Sequence, residues 1–264
     1  MEFGLKTRQP AVAGSFYPAD PRELTSQLDS FFQKTKKIVL YQQIKALIVP
    51  HAGYLYSGQT AAWGYRQLPQ NLKNPHFVLI GPSHYFPLHG VTSSAASAWK
   101  TPLGTVPHIP ASVKKTVFLN EDVHLPEHSL EVQLPFLQHL FPHFSLTCLL
   151  TGEQHDSQKL ADYFLTQYPS ARFIVSSDLS HYLSRQEAER QDQRTIEAIL
   201  ACDNYFIEHQ EDCACGRWGI ATICAMARAE NWERRLIFSD TSATASGDTQ
   251  RVVGYAAIAF LSKV

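Results

Sequence analysis

The sequence predicts one α/β domain spanning residues 1–264, with a largely parallel central sheet flanked by helices. Three observations predict it. Short apolar runs at 46–49, 77–80, 146–150 and 173–176 are unbroken rather than alternating, the pattern of strands buried on both faces. Helical periodicity separates most of these runs, and strands alternating with helices of about 10–15 residues mark a parallel α/β sheet. No fixed-period repeat, low-complexity tract or Gly/Pro-rich linker divides the chain.

Residues 21–34 read as an amphipathic helix with Leu24, Leu28, Phe31 and Phe32 on one face. The run 46–49 is a buried strand ended by Pro50, and 57–68 a second helix with Ser57 in the N-cap position. The strand at 77–80 stops at Gly81-Pro82, and 87–120 is irregular, holding loops or an antiparallel excursion. From Ser129 onward Leu130, Leu134, Leu137 and Phe141 keep helical spacing, with Pro135 predicting a kink or irregular start. Helices at 156–168, 184–210 and 219–230 follow, and strands at 236–238 and 252–260 complete the pattern.

The composition, 44% hydrophobic and 18% charged, suits a sizeable core and not a disordered chain. The net charge is −1 and the basic residues are scattered, which argues against a nucleic-acid surface. Lys34-Thr35-Lys36-Lys37 suits a solvated helix end, and Lys114-Lys115 is an isolated pair. The opening residues lack the apolar core of a secretory signal, and no apolar stretch nears the roughly 20 residues of a membrane span. Five irregularly spaced cysteines argue against a disulfide framework and for a reducing cytoplasm.

Three segments place a histidine just after an apolar run: Val49-Pro50-His51, Gly81-Pro82-Ser83-His84 and Ser177-Asp178-Leu179-Ser180-His181. Ligands of open α/β sheets bind beyond the carboxyl ends of the strands, where such residues meet. Two histidines with a thiolate or carboxylate make a transition-metal ligand set. Each histidine taken alone also fits a strand-ending turn. Asp178 can orient His181 as an acid/base pair, or cap a following helix. Cys215, in Ala214-Cys215-Gly216-Arg217, precedes a helix, and the helix terminus and Arg217 predict a lowered thiol pKa. Cys215 equally suits a buried apolar cysteine, and Cys213 stands two residues away, as a second ligand or a resolving thiol. Glu127 and His128 are placed to reach the crevice, Glu131 to support a helix's first turn, and Asp248 to form a turn. Walker-type, G-x-G-x-x-G and G-x-S-x-G motifs are absent, which disfavours nucleotide-dependent and serine-hydrolase chemistry.

The segment Arg8-Gln9-Pro10-Ala11-Val12-Ala13-Gly14-Ser15-Phe16-Tyr17-Pro18 resembles the opening signature of the Memo family. So do the surroundings of His51, His84, 127–134 and 178–181, together with Cys215-Gly216-Arg217 and Val253-Gly254-Tyr255-Ala256-Ala257. Prokaryotic members are called AmmeMemoRadiSam system protein B, after companion proteins with a radical-SAM and an AMMECR-type domain. The resemblance implies a fold similar to class III extradiol ring-cleavage dioxygenases. It implies His51, His84 and Cys215 as ligands of iron(II) or copper(I), with His181 as acid/base and Asp178 in the pocket. Cysteine stands where those dioxygenases carry glutamate, and a softer ligand shifts metal preference, so ring cleavage does not follow from the fold. The leading expectation is a metal-dependent redox protein. The alternatives are a module that binds a peptide or protein in the same pocket, and an extradiol-type dioxygenase.

Overall fold

The computed structural model describes residues 7–40, 42–112, 116–153 and 156–263. Residues 1–6 and the Lys114-Lys115 pair lie outside them. The main strands are β1 (Ile44–Val49), β2 (His76–Pro82), β3 (Val91–Ser93), β4 (Val117–Leu119), β5 (Ser145–Thr151), β6 (Arg172–Ser176), β7 (His181–Leu183), β8 (Glu233–Thr241) and β9 (Val252–Leu261). They form one mixed sheet in the order β7-β9-β1-β6-β2-β5-β3-β4, with β8 also paired to β9. Helices pack on both faces, making a single α/β domain.

Successive strand side chains feed two cores. Ala46 and Ile48 of β1, with Val78 and Ile80 of β2, face one. Ile44, Leu47 and Val49, with Phe77 and Leu79, face the other. The first core is covered by α4 (Ser157–Gln167), α5 (Arg185–Ala201), α6 (Asn204–His209) and α7 (Arg217–Ala229). The second is covered by α1 (Pro21–Gln33), α2 (Tyr54–Tyr65) and α3 (Leu134–Leu140). Burial on both faces is why these runs carry no polar alternation.

Only β1, β6, β2 and β5 form the parallel centre. The margins are antiparallel where β9 meets β1, β7 and β8, and where β3 meets β5. A short connection such as that between β8 and β9 is too brief for a parallel crossover. Within 87–120, Ala98–Thr101 and Gly104–Pro107 form an antiparallel hairpin that adds Thr7–Arg8, the antiparallel excursion expected there.

Some element ends depart from expectation. The helix predicted from Ser57 begins at Tyr54, and Ser57 lies inside it, its hydroxyl donating to the Ala52 carbonyl at 2.7 Å. The helix predicted over 184–210 breaks at Cys202, which turns left-handed (φ 53°) before Asp203 caps α6. Pro135 sits in the first turn of α3, after a 3-10 turn at Glu131–Gln133, so the irregular start is present.

Candidate metal centre

The carboxyl ends of the parallel strands carry the site. His51 follows β1, His84 follows β2, and Ser177-Asp178 follow β6. Gly81 lets β2 end tight against the 129–130 segment, since a β-carbon there would stand 2.7 Å from Ser129 Oγ. Gly216 does the same for Cys215, because a β-carbon would lie 2.7 Å from the Ser176 carbonyl oxygen as α7 docks on β6.

Three imidazoles meet here. His51 and His84 are 5.1 Å apart between ring centroids, and His51 and His128 are 5.5 Å apart. The His84 and His128 rings stack at 4.6 Å. One nitrogen from each of the three lies within 4.8 Å of the others, close enough to share one ion. Cys215 Sγ is 3.3 Å from His51 Nε2.

The hydrogen bonds behind these rings aim their lone pairs. Ser176 Oγ donates its one proton to the Ser129 carbonyl (2.5 Å) and accepts from Gln133 Nε2 (2.8 Å). Gln133 Nε2 also donates to the Pro50 carbonyl, which fixes the orientation of the amide. His51 Nδ1, 2.9 Å from Ser176 Oγ, must therefore be the donor, leaving the Nε2 lone pair facing the cluster. Glu127 does the equivalent for His84. It accepts from His84 Nδ1 (2.9 Å) and from the His84 backbone N–H (2.6 Å), so Nε2 again carries the lone pair.

Electrostatics favour the neutral form at two of these rings, His51 and His128. Burial, then the neighbouring His84, lowers the His51 pKa to about 3. Burial, then His51, lowers that of His128 to about 4. Burial pushes Glu127 upward, but the His84 hydrogen bonds and charge, with the Ser129 N–H, outweigh it and hold Glu127 at about 2. The cluster thus sets the neutral His51 and His128 rings beside one ionised carboxylate, and imidazole nitrogens with a nearby sulfur are a donor set that fits a divalent or soft monovalent transition-metal ion. His128 Nδ1 adds an orphaned buried atom, 3.3 Å from Glu127 Oε1 yet without a hydrogen-bond partner.

Asp178 does not cap a following helix, because β7 and not a helix comes next. Its Oδ1 accepts from the backbone N–H groups of His51 (2.8 Å) and Ala52 (3.3 Å), clamping the segment that carries His51. Burial raises its pKa against the lowering effect of those bonds. His181 opens β7 and lines a cavity of about 380 Å³ with Gln191, Glu211, Asp212 and Cys215. A register shift beside it coincides with Tyr182 in a left-handed conformation (φ 61°), a bulge that re-aims the strand.

Three expectations change. Burial, then the Asp178 charge, raises the Cys215 thiol pKa instead of lowering it. Arg217 turns away to donate to the Glu211 carbonyl, so it does not act on the sulfur. Cys213 is buried in the core with Sγ on the Ile207 carbonyl, apart from the imidazoles. Glu131 does far more than support a first turn: fully buried, it pairs with Arg8 at 2.6 Å and accepts from Ala11 N, Val12 N and Tyr17 Oη. Arg8 in turn donates to the His124 and Glu127 carbonyls and lies over the Trp99 ring, so the N-terminal segment braces the loop carrying Glu127 and His128. Asp248 accepts from Gln250 N–H in a turn, as read.

An α/β architecture with a histidine cluster beyond the carboxyl ends of its parallel strands fits the class of scaffolds that can hold a metal ion, and sequence comparison gives the family. A family model described as Memo-like protein matches residues 8–259, and the chain belongs to this family. A MEMO1 family protein of Thermotoga maritima is 35% identical, covering 94% of this chain and 97% of the relative. One from Archaeoglobus fulgidus is 35% identical, covering 96% and 99%. A crystal structure described as uncharacterized protein JW3007 from Escherichia coli K12 is similar in fold, with a TM-score of 0.53, 11% identity, and coverage of 82% of this chain and 99% of that one. Among the described residues no helix is long and apolar enough to cross a membrane.

Proposed function

We propose that this protein binds a redox-active transition metal, iron(II) or copper(I), through His51, His84 and Cys215, and works as a metal-dependent redox protein. The observation that carries the reading is the set of inward-facing imidazole lone pairs beside Cys215, 3.3 Å from His51. Such an ion, when bound, supplies one-electron chemistry that no side chain here supplies alone.

The chain's own residues divide the remaining work. Ser176 and Glu127 orient the two imidazoles. Asp178 fixes the His51 segment, and its buried carboxyl, with raised proton affinity, is suited to hold a proton in the pocket. His181, lining the cavity that Cys215 also borders, is placed to exchange protons with a bound molecule. Family membership is what supports a cytoplasmic setting and radical-SAM and AMMECR-type companion proteins.

The test is oxygen uptake by anaerobically iron-loaded or copper-loaded protein in the presence of a reductant. Metal-dependent uptake that falls in His181→Ala, with metal content unchanged, supports the reading. Uptake equal to that of free metal removes the redox role. Tight peptide or protein binding indifferent to Cys215→Ala and His181→Ala would instead favour a recognition module.

A further inference from the structure

We propose a second ligand site, at the opposite end of the sheet from the metal centre, that takes a phosphate monoester of a small hydroxylated molecule. Arg172 and Lys73 hold the phosphate, and the cavity beside them takes the body of the molecule. The site uses no residue of the metal-binding reading and stands apart from it.

His76 opens β2 and Arg172 opens β6, so this site lies at the amino ends of the parallel strands, whereas His51, His84 and Asp178 follow their carboxyl ends. A cavity of about 460 Å³ is lined there by Lys73, Asn74, His76, Gln167, Tyr168 and Arg172, among others. That volume falls within the ~300–1,000 Å³ of small-molecule sites and leaves room for more than a bare ion. One wall is fixed. The His76 ring stacks on Tyr168 at 5.8 Å, and its nitrogens face Ser145 Oγ (2.8 Å) and Thr147 Oγ1 (3.2 Å), so its hydrogen bonds are committed to the protein.

The charge of the cavity is one-sided. No aspartate or glutamate lines it, and among the described residues neither Lys73 nor Arg172 pairs with a carboxylate. Arg172 donates from Nη1 to the Ser170 carbonyl at 3.2 Å, while its Nε is buried with no hydrogen-bond partner. A buried donor left unmade costs free energy, and a partly buried cation with nothing opposite it adds to that cost. Burial accordingly lowers the Arg172 pKa. Helix capping does not account for the guanidinium. α4 ends nearby at Gln167, where a cation is favourable, yet Arg172 bonds the Ser170 carbonyl beyond the helix instead of the helix's own last carbonyls.

Chemistry selects the ligand. The guanidinium fork matches the oxygens of phosphate or carboxylate. Two cations with no acid between them favour the head that carries most charge, and a phosphate monoester carries about −1.5 to −2 at pH 7. The side-chain amides of Asn74 and Gln167 offer donors and acceptors for hydroxyls on the body.

The test titrates ribose 5-phosphate, ribose and inorganic phosphate into the full chain by calorimetry at low salt, for the wild type, Arg172→Gln and Lys73→Gln. The sugar phosphate should bind the wild type, inorganic phosphate more weakly, and ribose not at all. Arg172→Gln should weaken the sugar phosphate by about tenfold or more, the order of a hydrogen bond to a charged group. Lys73 is exposed, so Lys73→Gln keeps the fold and should weaken binding by about threefold, an effect that added salt removes. Backbone amide shifts should gather in residues 72–76 and 167–172, and His51→Ala/His84→Ala should bind as the wild type does. A wild type that ignores the sugar phosphate at millimolar concentration, or shifts gathered around His51 and His84, overturns the proposal. So does unchanged affinity in folded Arg172→Gln; if that variant does not fold, unchanged low-salt affinity in Lys73→Gln does the same. Ribose binding as well as its phosphate, or inorganic phosphate as tightly as the ester, overturns the assignment of the ligand.

Discussion

A single carboxylate, Glu127, grips His84 by ring and backbone while remaining ionised in a buried setting. Glu127→Gln keeps the shape but gives up the charge, so metal affinity should fall about 10–100-fold, as when a hydrogen-bonded partner of a ligand is lost. Chelator competition checks this, and an unchanged affinity would mean that Glu127 orients nothing of consequence. Arg8 and Glu131 form the second buried charge system, both side chains wholly inaccessible. Arg8→Met leaves Glu131 charged with no cation beside it, and stability should drop by about 3–5 kcal/mol in urea unfolding. A loss below about 1 kcal/mol would show that the pair is incidental. His51 and His84 were legible because each follows an apolar run directly. His128 and Glu127 were placed near the crevice but given no role, because the loop that carries them is positioned by Arg8, more than a hundred residues away. Cys215 was legible as a donor, but its proton affinity was not, since that depends on how deeply the turn is buried.

Elements position these residues through close approaches. The start of α7 lies against the end of β6, and Gly216 is the residue that permits it. Gly216→Ala should cost about 1–3 kcal/mol through overcrowding and should also weaken Cu(I) binding by moving Cys215. Thermal unfolding together with Cu(I) competition checks this; a variant as stable and as tight as wild type would contradict the packing account. Helix existence was readable from periodicity, but several boundaries were not. Tyr54, Leu55 and Tyr56 make the first turn of α2 although Ser57 is the better N-cap type. The left-handed Cys202 ends α5 without a glycine to announce it.

At the scale of the whole molecule, the α/β class was legible because both faces of the central strands are buried, and the antiparallel margins were not, because pairing partners leave no mark on an apolar run. The sheet also encloses histidines that serve packing. His108 takes the Cys148 N–H on Nε2 and faces the Ala96 carbonyl with Nδ1, and burial holds its pKa at about 4. Burial, then His108, holds His124 at about 3. Both titrate in the unfolded chain near 6.5 and resist protonation when folded. The unfolded state therefore binds more protons below pH 6.5, and the metal-free protein should lose stability as pH falls from there toward 4, by up to ~1.4 kcal/mol per pH unit for each group. Denaturant midpoints at pH 7, 5.5 and 4.5 check this, and a flat profile would contradict it.

The most direct test of the central claim is elemental analysis of protein purified without oxygen, followed by Fe(II) and Cu(I) titration of the wild type and of His51→Ala/His84→Ala. The imidazole cluster predicts near-stoichiometric binding in the wild type that the double variant loses while keeping its fold. Wild-type protein that binds neither ion, or a double variant that binds as well as wild type, would contradict a metal centre at this site.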